Sequence, residues 1–113
     1  MKLSTARTGE VVVVHVGEAK LMYPLLSAFA DTVSGLLTGG DHRLVIDLSQ
    51  VVYVDSASIG CLMDLYRQAE KLGGAVKLSG VQKRVETMLT MTGAHNFIEL
   101  HPDKASAVKS FGE

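Results

Sequence analysis

Residues 44–81 decide the fold, and they read LVIDLSQVVYVDSASIGCLMDLYRQAEKLGGAVKLSGV. Leu44–Leu48 is short, apolar and flanked by polar residues, which predicts a buried strand. From Ala57 the apolar residues recur at helical spacing, and Gly73-Gly74 then stops the helix, because glycine enters the left-handed conformation without steric cost. Ala75–Leu78 predicts the next strand. This order predicts two parallel strands joined by a crossover helix, which is an α/β arrangement.

The chain before this stretch also alternates between strand and helix patterns. Lys2–Arg7 and the β-branched run Val11–Val16 flank Thr8-Gly9-Glu10, which predicts a hairpin. Apolar residues at three- and four-residue spacing then predict a helix from Met22 to Leu37, closed by Gly39-Gly40.

Four further segments complete the predicted domain. Val51–Val54 is a short extended piece, Gln82–Thr92 a third helix, Phe97–Leu100 a final strand and Pro102–Phe111 a short terminal helix. We therefore predict one domain over residues 1–113 with an α/β fold. Its mixed β-sheet has four to five strands, antiparallel at the hairpin and parallel across the crossovers, and is flanked by about four helices.

The composition is that of a globular domain, since 47% of the residues are hydrophobic and 20% are charged. The formal net charge of −1 argues against non-specific nucleic-acid binding, which needs a cationic surface. Cys61 is the single cysteine, so an internal disulfide is excluded and a reducing compartment fits best. Met1–Arg7 lacks the apolar core of a signal peptide, and the apolar runs are too short to span a bilayer. We expect a cytoplasmic protein without membrane insertion.

A search for catalytic or metal-binding patterns finds none. The four histidines form no HxxxH or HxH pair, which favours surface or capping roles for them. There is no glycine-rich phosphate loop and no Gly-x-Ser-x-Gly nucleophile motif. Asp47 and Asp55 fit structural roles, with Asp47 bonding loop N–H groups and Asp55 capping a helix. We therefore predict no enzymatic activity, no cofactor and no metal.

The segment Asp55-Ser56-Ala57-Ser58 stands where a strand ends and a helix begins. Asp and Ser are preferred helix N-caps, because their side-chain oxygens accept hydrogen bonds from the first free N–H groups. A helix N-terminus also tolerates a phosphate, since its N–H groups and positive dipole end favour an anion. Spacing alone favours capping and leaves modification of a serine open.

The order of these segments resembles the STAS domain, as found in bacterial anti-sigma factor antagonists. The resemblance covers essentially the whole chain and includes the following stretches: Val11–Val16 with Gly17-Glu18, Leu44–Leu48, Asp55-Ser56 with Ile59-Gly60, Gly73-Gly74, and Met91-Thr92-Gly93.

The resemblance implies a protein that works by binding. It implies that Ser56 is phosphorylated by a GHKL-type anti-sigma factor serine kinase, with Ser58 as the less favoured acceptor. The unphosphorylated form would bind this kinase and release a sigma factor, and a PP2C-type phosphatase would reset the switch. The implied partner-binding residues are Gly17, Glu18, Asp55, Ser56, Ala57, Ser58, Ile59 and Gly60.

Three residues depart from the pattern of that family. Ser58 stands where glycine is usual, and we expect its side chain to lie at the surface that a kinase approaches. Lys20 stands where an acid is common, and Lys83 replaces the proline usual at the start of the third helix. Lys20 and Ser58 keep an alternative open, in which the chain is a constitutive STAS interaction subunit of an ABC lipid-transport complex or a signalling scaffold, and Ser56 only a cap.

The sequence also leaves open whether the chain forms a homodimer. Val51, Val52 and Tyr53 fit either a buried core or an exposed apolar edge.

Overall fold

The computed structural model describes all 113 residues. The chain contains seven strands and four α-helices. The strands are β1 (Leu3–Thr8), β2 (Val11–Val16), β3 (Lys20–Leu21), β4 (Arg43–Asp47), β5 (Tyr53–Val54), β6 (Ala75–Ser79) and β7 (Leu100–His101). The helices are α1 (Leu26–Thr38), α2 (Ser56–Lys71), α3 (Lys83–Thr92) and α4 (Lys104–Lys109), with 3₁₀ turns at Tyr23–Leu25 and Ala94–Asn96.

The main sheet is mixed and has five strands in the order β1-β2-β4-β6-β7. The hairpin β1–β2 is antiparallel, with Leu3 opposite Val16, and the other three pairs are parallel. This confirms the predicted α/β class, the number of strands and the mixed strand directions. A second, two-stranded parallel sheet joins β3 to β5.

The two faces of the main sheet are covered unequally. One face and the helices α1, α2 and α3 form a cluster of 22 buried apolar residues. On the other face α4 covers a smaller cluster of five: Val11, Val13, Val45, Ala107 and Val108. Because side chains alternate across a strand, β2 sends Val12 and Val14 to the first face and Val11 and Val13 to the second. Burial on both faces explains why Val11–Val14 is an unbroken apolar run within this strand.

Some predicted boundaries were wrong. The first helix was expected from Met22, but Tyr23–Leu25 is a separate 3₁₀ turn that contains Pro24. β3 was not predicted, because two residues carry no periodicity. The final strand is Leu100–His101 instead of Phe97–Leu100, since a 3₁₀ turn places Ile98 in the core and leaves the Phe97 side chain 58% exposed.

The short apolar segment before β5 is divided between core and surface. Val51 is fully buried, Val52 is 38% exposed and Tyr53 is half-buried. Cys61 is half-buried on α2. None of the helices combines the length and hydropathy that a transmembrane span requires.

We predict that Gly74→Ala destabilises the fold. The Gly74 N–H donates to the Ala69 carbonyl at 2.9 Å, and the next N–H, of Ala75, donates to the His42 carbonyl at 2.8 Å. A Cβ on Gly74 would overlap that His42 carbonyl oxygen, and because this is a backbone atom, the two segments would have to shift apart. We expect a loss of about 1–3 kcal/mol in the free energy of unfolding, measured by urea denaturation.

Gly35→Ala is the matched control. Gly35 lies inside α1, and a Cβ there would contact nothing within 4 Å. Removing a helix-interior glycine should stabilise the protein by about 0.5–1 kcal/mol. A Gly74→Ala variant as stable as the wild type would contradict the close approach of the two backbone segments.

Candidate functional site

The candidate site is centred on the junction between β5 and α2. Asp55 has an extended backbone (φ −98°, ψ 174°) and is the N-cap of α2, since its Oδ1 accepts a hydrogen bond from the Ser58 N–H at 2.8 Å. Its Oδ2 accepts from the Tyr23 N–H at 2.9 Å. The carboxylate therefore ties the start of α2 to the turn that leads into α1. This confirms the capping role predicted for Asp55.

Ser58 is buried beneath this cap, with none of its surface exposed. Its Oγ lies 2.5 Å from both the Leu21 carbonyl oxygen and Asp55 Oδ1, and its single proton serves one of these acceptors at a time. The expectation that Ser58 adds a side chain to the surface approached by a kinase is wrong. The side chain points inward and connects α2 to β3, so a kinase has no access to this hydroxyl in the folded chain.

These contacts favour the charged form of Asp55. The hydrogen bond from the Ser58 hydroxyl lowers the pKa of the carboxyl, burial opposes the shift, and the N–H groups of Tyr23 and Ser58 add to it. The pKa of Asp55 therefore lies below its ordinary value. A carboxylate at this position also interacts favourably with the positive end of the helix dipole.

Ser56 is the first residue of α2 and has a different environment. It is exposed, and its hydroxyl makes no hydrogen bond within the chain. It borders a shallow depression of about 420 Å³ between α2 and the end of α3, to which Gly60, Met63, Thr92 and Phe97 also contribute. The cap and the packing of α2 do not depend on the Ser56 hydroxyl.

The other implied residues of α2 differ in exposure. Ala57 and Gly60 are exposed, and a Cβ on Gly60 would contact nothing within 4 Å. Ile59 is only 4% exposed and belongs to the core. The exposed surface at the start of α2 therefore consists of Ser56, Ala57 and Gly60.

Gly17 and Glu18 lie in the loop that leads into β3. The Gly17 N–H donates to the Lys2 carbonyl at 2.8 Å, and the Glu18 carboxylate accepts from the Lys2 N–H at 2.6 Å. One residue later, the Ala19 carbonyl accepts from the Val52 N–H at 2.7 Å. The loop thus runs beside the segment that leads to Ser56, but its acidic side chain is bound to the start of β1.

Three side chains near the junction were missed by the sequence analysis. Tyr23, whose N–H binds Asp55, has a 74% exposed side chain. The Arg84 guanidinium lies 5.9 Å from the centroid of the Tyr53 ring. These contacts join segments far apart in the sequence, and no spacing rule brings them together.

Asp47 and His15 form a second polar cluster, at the ends of β4 and β2. Asp47 is 2% exposed and lies 2.6 Å from His15 Nδ1. The hydroxyls of Ser49 and Ser79 donate to the same carboxylate at 2.9 and 3.1 Å. A structural role was predicted for Asp47, but its partners are side chains instead of loop N–H groups. His15 likewise pairs with a buried acid, where a surface or capping role was expected.

The structure contains no group of three or more His, Cys, Asp or Glu residues that could hold a metal ion.

The family model described as the STAS domain matches residues 2–107. The chain therefore belongs to the STAS domain family. It is 27% identical over 71 residues to the anti-sigma-B factor antagonist of Bacillus subtilis (strain 168), a match that covers 63% of each chain. The chain thus spans less than two thirds of the length of the curated relatives it matches.

Solved structures share the fold. An anti-sigma-factor antagonist (STAS) domain protein from Planctomyces limnophilus is similar with a TM-score of 0.89 at 18% identity, over 98% of both chains. The phosphorylated form of the Bacillus cell fate determinant SpoIIAA has a TM-score of 0.75 at 14% identity, over 97% of this chain and 99% of that chain.

We predict that Asp55 contributes to the acid sensitivity of the fold. Its pKa is lowered on folding, so its stabilisation is complete above the unfolded-state pKa of about 3.9. That stabilisation is lost as the pH falls through the lower, folded-state pKa. Asp55→Asn keeps an acceptor for the cap but does not titrate, so it should lose less stability than the wild type between neutral and strongly acidic pH.

Urea denaturation at neutral and strongly acidic pH measures the free energy of unfolding of the wild type and of Asp55→Asn. Asp55→Ala is the comparison variant, because it lacks the cap. The alanine variant should lose about 0.5–2 kcal/mol at neutral pH, the usual effect of removing an N-cap. Equal acid-induced losses in the wild type and Asp55→Asn would contradict the role of the Asp55 charge.

Proposed function

We propose that this chain is an anti-sigma factor antagonist whose binding is gated by phosphorylation of Ser56. The observation that carries the proposal is the contrast between the two serines of the first turn. The Ser56 hydroxyl is exposed and free of intramolecular hydrogen bonds, whereas Ser58 is buried and bonded. The name of the Bacillus subtilis relative and the phosphorylated form of SpoIIAA support this function.

A phosphate on Ser56 would change the surface without unfolding the helix beneath it. It would add roughly −1.5 to −2 charges at neutral pH. The free N–H groups and the positive dipole end of α2 favour such an anion. Because Asp55 and Ser58 hold the cap, no existing hydrogen bond has to break. The modification would therefore act on a docking partner and leave the fold intact.

We propose a GHKL-type anti-sigma factor serine kinase as that partner. The unphosphorylated form would bind the kinase and release a sigma factor, and a PP2C-type phosphatase would restore this form. The direct contacts would come from Ser56, Ala57 and Gly60, which are exposed, and from the neighbouring loop of Gly17 and Glu18. Ser58 and Ile59 would shape this surface from below. The role is binding, without catalysis by this chain.

We predict that Ser56→Asp weakens binding to such a kinase, purified from the genome that encodes this chain. A negative charge at a desolvated interface costs several kcal/mol, so about a hundredfold loss in affinity is expected by calorimetry. Ser56→Ala should bind like the wild type, and both variants should melt like it, because an exposed N1 hydroxyl contributes little to stability. Unchanged binding by Ser56→Asp would contradict the switch and favour the constitutive interaction subunit of a transporter or scaffold.

We also predict that the protein from its own cells carries a fraction about 80 Da heavier, the mass of one phosphoryl group. Trypsin cleaves after Arg43 and Arg67 and so releases one peptide that contains both serines of the first turn. Fragmentation of this peptide should place the phosphate on Ser56 and not on Ser58. A Ser56→Ala strain that keeps the heavier fraction would contradict this assignment.

A further inference from the structure

The strand β1 forms one edge of the main sheet. It pairs only with β2, in a regular antiparallel ladder of six residue pairs. Every residue from Ser4 to Thr8 is exposed, so no other segment covers this edge. The strand at the opposite edge, β7, is only two residues long. The long free edge of the sheet is therefore β1.

The backbone groups that point away from β2 belong to Leu3, Thr5 and Arg7. The Gly17 N–H donates to the Lys2 carbonyl at 2.8 Å, so Lys2 belongs to the hydrogen-bonded pairs of the ladder. Such pairs alternate along an antiparallel ladder, and every second residue after Lys2 therefore also bonds to β2. The N–H and C=O groups of the three residues in between face outward and make no hydrogen bond within the chain.

This edge lacks the features that usually keep edge strands of different molecules from pairing. Proteins protect such strands with exposed lysines, prolines, β-bulges or a covering segment. β1 contains no proline and no bulge. Its one charged side chain is Arg7, whose guanidinium contacts both carboxylate oxygens of Asp41, at 2.9 and 3.1 Å. An identical strand would therefore meet no uncompensated charge along β1.

We propose that β1 pairs with β1 of a second copy of this chain, in an antiparallel dimer centred on Thr5. In this register Thr5 lies opposite Thr5 of the second copy, and Leu3 lies opposite Arg7. All the outward N–H and C=O groups then form hydrogen bonds, because each of these residue pairs exchanges two. Registers shifted along the strand leave the outward groups of Leu3 or Arg7 beyond the end of the second strand. The edge is thus self-complementary, as the interface of a two-fold dimer requires.

The side chains are compatible with this register. Threonine at the dimer axis is β-branched, which favours a cross-strand pair. Ser4 lies opposite Ala6 of the second copy, and both side chains are small. Lys2 lies opposite Thr8, so no two like charges are directly opposed.

The size of the interface predicts a weak dimer. A pair of six-residue strands is about 20 Å long, and its buried surface falls in the class below about 1,200 Å² that is typical of transient contacts. We therefore expect a dimer whose population rises with protein concentration. It would join the two five-stranded main sheets edge to edge. This inference concerns assembly and does not depend on the proposed Ser56 switch.

Amide hydrogen exchange measured by NMR at low and high protein concentration tests the pairing residue by residue. The amides of Leu3, Thr5 and Arg7 should exchange at least about tenfold more slowly at high concentration, because exchange requires the edge to open. The amides of Ser4 and Ala6 are the internal control, since their bonds to β2 exist in each separate chain. Exchange at Leu3, Thr5 and Arg7 that does not depend on concentration would overturn the proposal.

Two variants test the dimer by analytical ultracentrifugation. Thr5→Pro removes the N–H at the axis from both copies and no hydrogen bond within the chain, and proline is tolerated on edge strands. Thr5→Glu keeps the N–H but sets two carboxylates against each other. Each variant should weaken dimer formation at least about tenfold, through lost hydrogen bonds or like-charge repulsion.

Thr90→Glu is the matched control, because it is the same substitution at an exposed position of α3. It should dimerise like the wild type. Melting curves report whether the variants are folded, and Thr5→Glu decides the matter if Thr5→Pro does not fold. A wild type that stays monomeric at high concentration, or a Thr5→Glu variant that dimerises like it, contradicts the β1 interface. So does protection of the outward amides only after a purified GHKL-type kinase is added, since the edge would then take a different partner.

Discussion

The carboxylate of Asp55 is the constraint on which the site depends. It accepts one hydrogen bond from the first turn of α2 and one from the Tyr23 N–H, more than thirty residues earlier in the chain. Ser58 extends this link to the backbone of β3. Because one charged group satisfies donors from separate segments, the start of α2, the small sheet and the entry to α1 have fixed relative positions. The direction in which Ser56 faces follows from this arrangement.

Much of the fold could be predicted because its large elements carry strong periodic signals. Local sequence indicates β2 by its run of valines and α2 by its apolar residues at helical spacing and the glycines that follow. These signals do not depend on tertiary contacts. The two-residue strands β3 and β7 could not be placed, since their backbone geometry depends on neighbours that the sequence does not display. The 3₁₀ turn at Tyr23–Leu25 could not be distinguished from the start of α1, because Pro24 fits the first turn of either kind of helix.

The position of the candidate site in the chain could be predicted from the sequence, but which of its side chains face solvent could not. The Asp-Ser pattern predicts a helix start, and Asp55 does cap it. Ser58 faces inward, where its hydroxyl contacts the Leu21 carbonyl oxygen of β3, and the pairing of β3 with β5 holds that carbonyl in place. The proximity of Arg84 to Tyr53 likewise requires α3 to pack beside the small sheet. Such long-range contacts leave no trace in local spacing.

Because Ser56 lies outside the cap, the proposed phosphorylation could change the surface without lowering the stability of the fold. If the exposed serine were itself the N-cap, a phosphate on its oxygen would disturb the hydrogen bond that starts the helix, and signalling would cost stability. Here the cap is Asp55, and the buried Ser58 supports it from beneath. Ser56, at the first helical position, carries neither task. A change of charge on its oxygen would therefore act mainly on the electrostatic field outside the protein, where the proposed partner would dock. The same separation applies to Lys20, whose outward side chain alters the surface charge while Leu21 beside it holds β3 in the core.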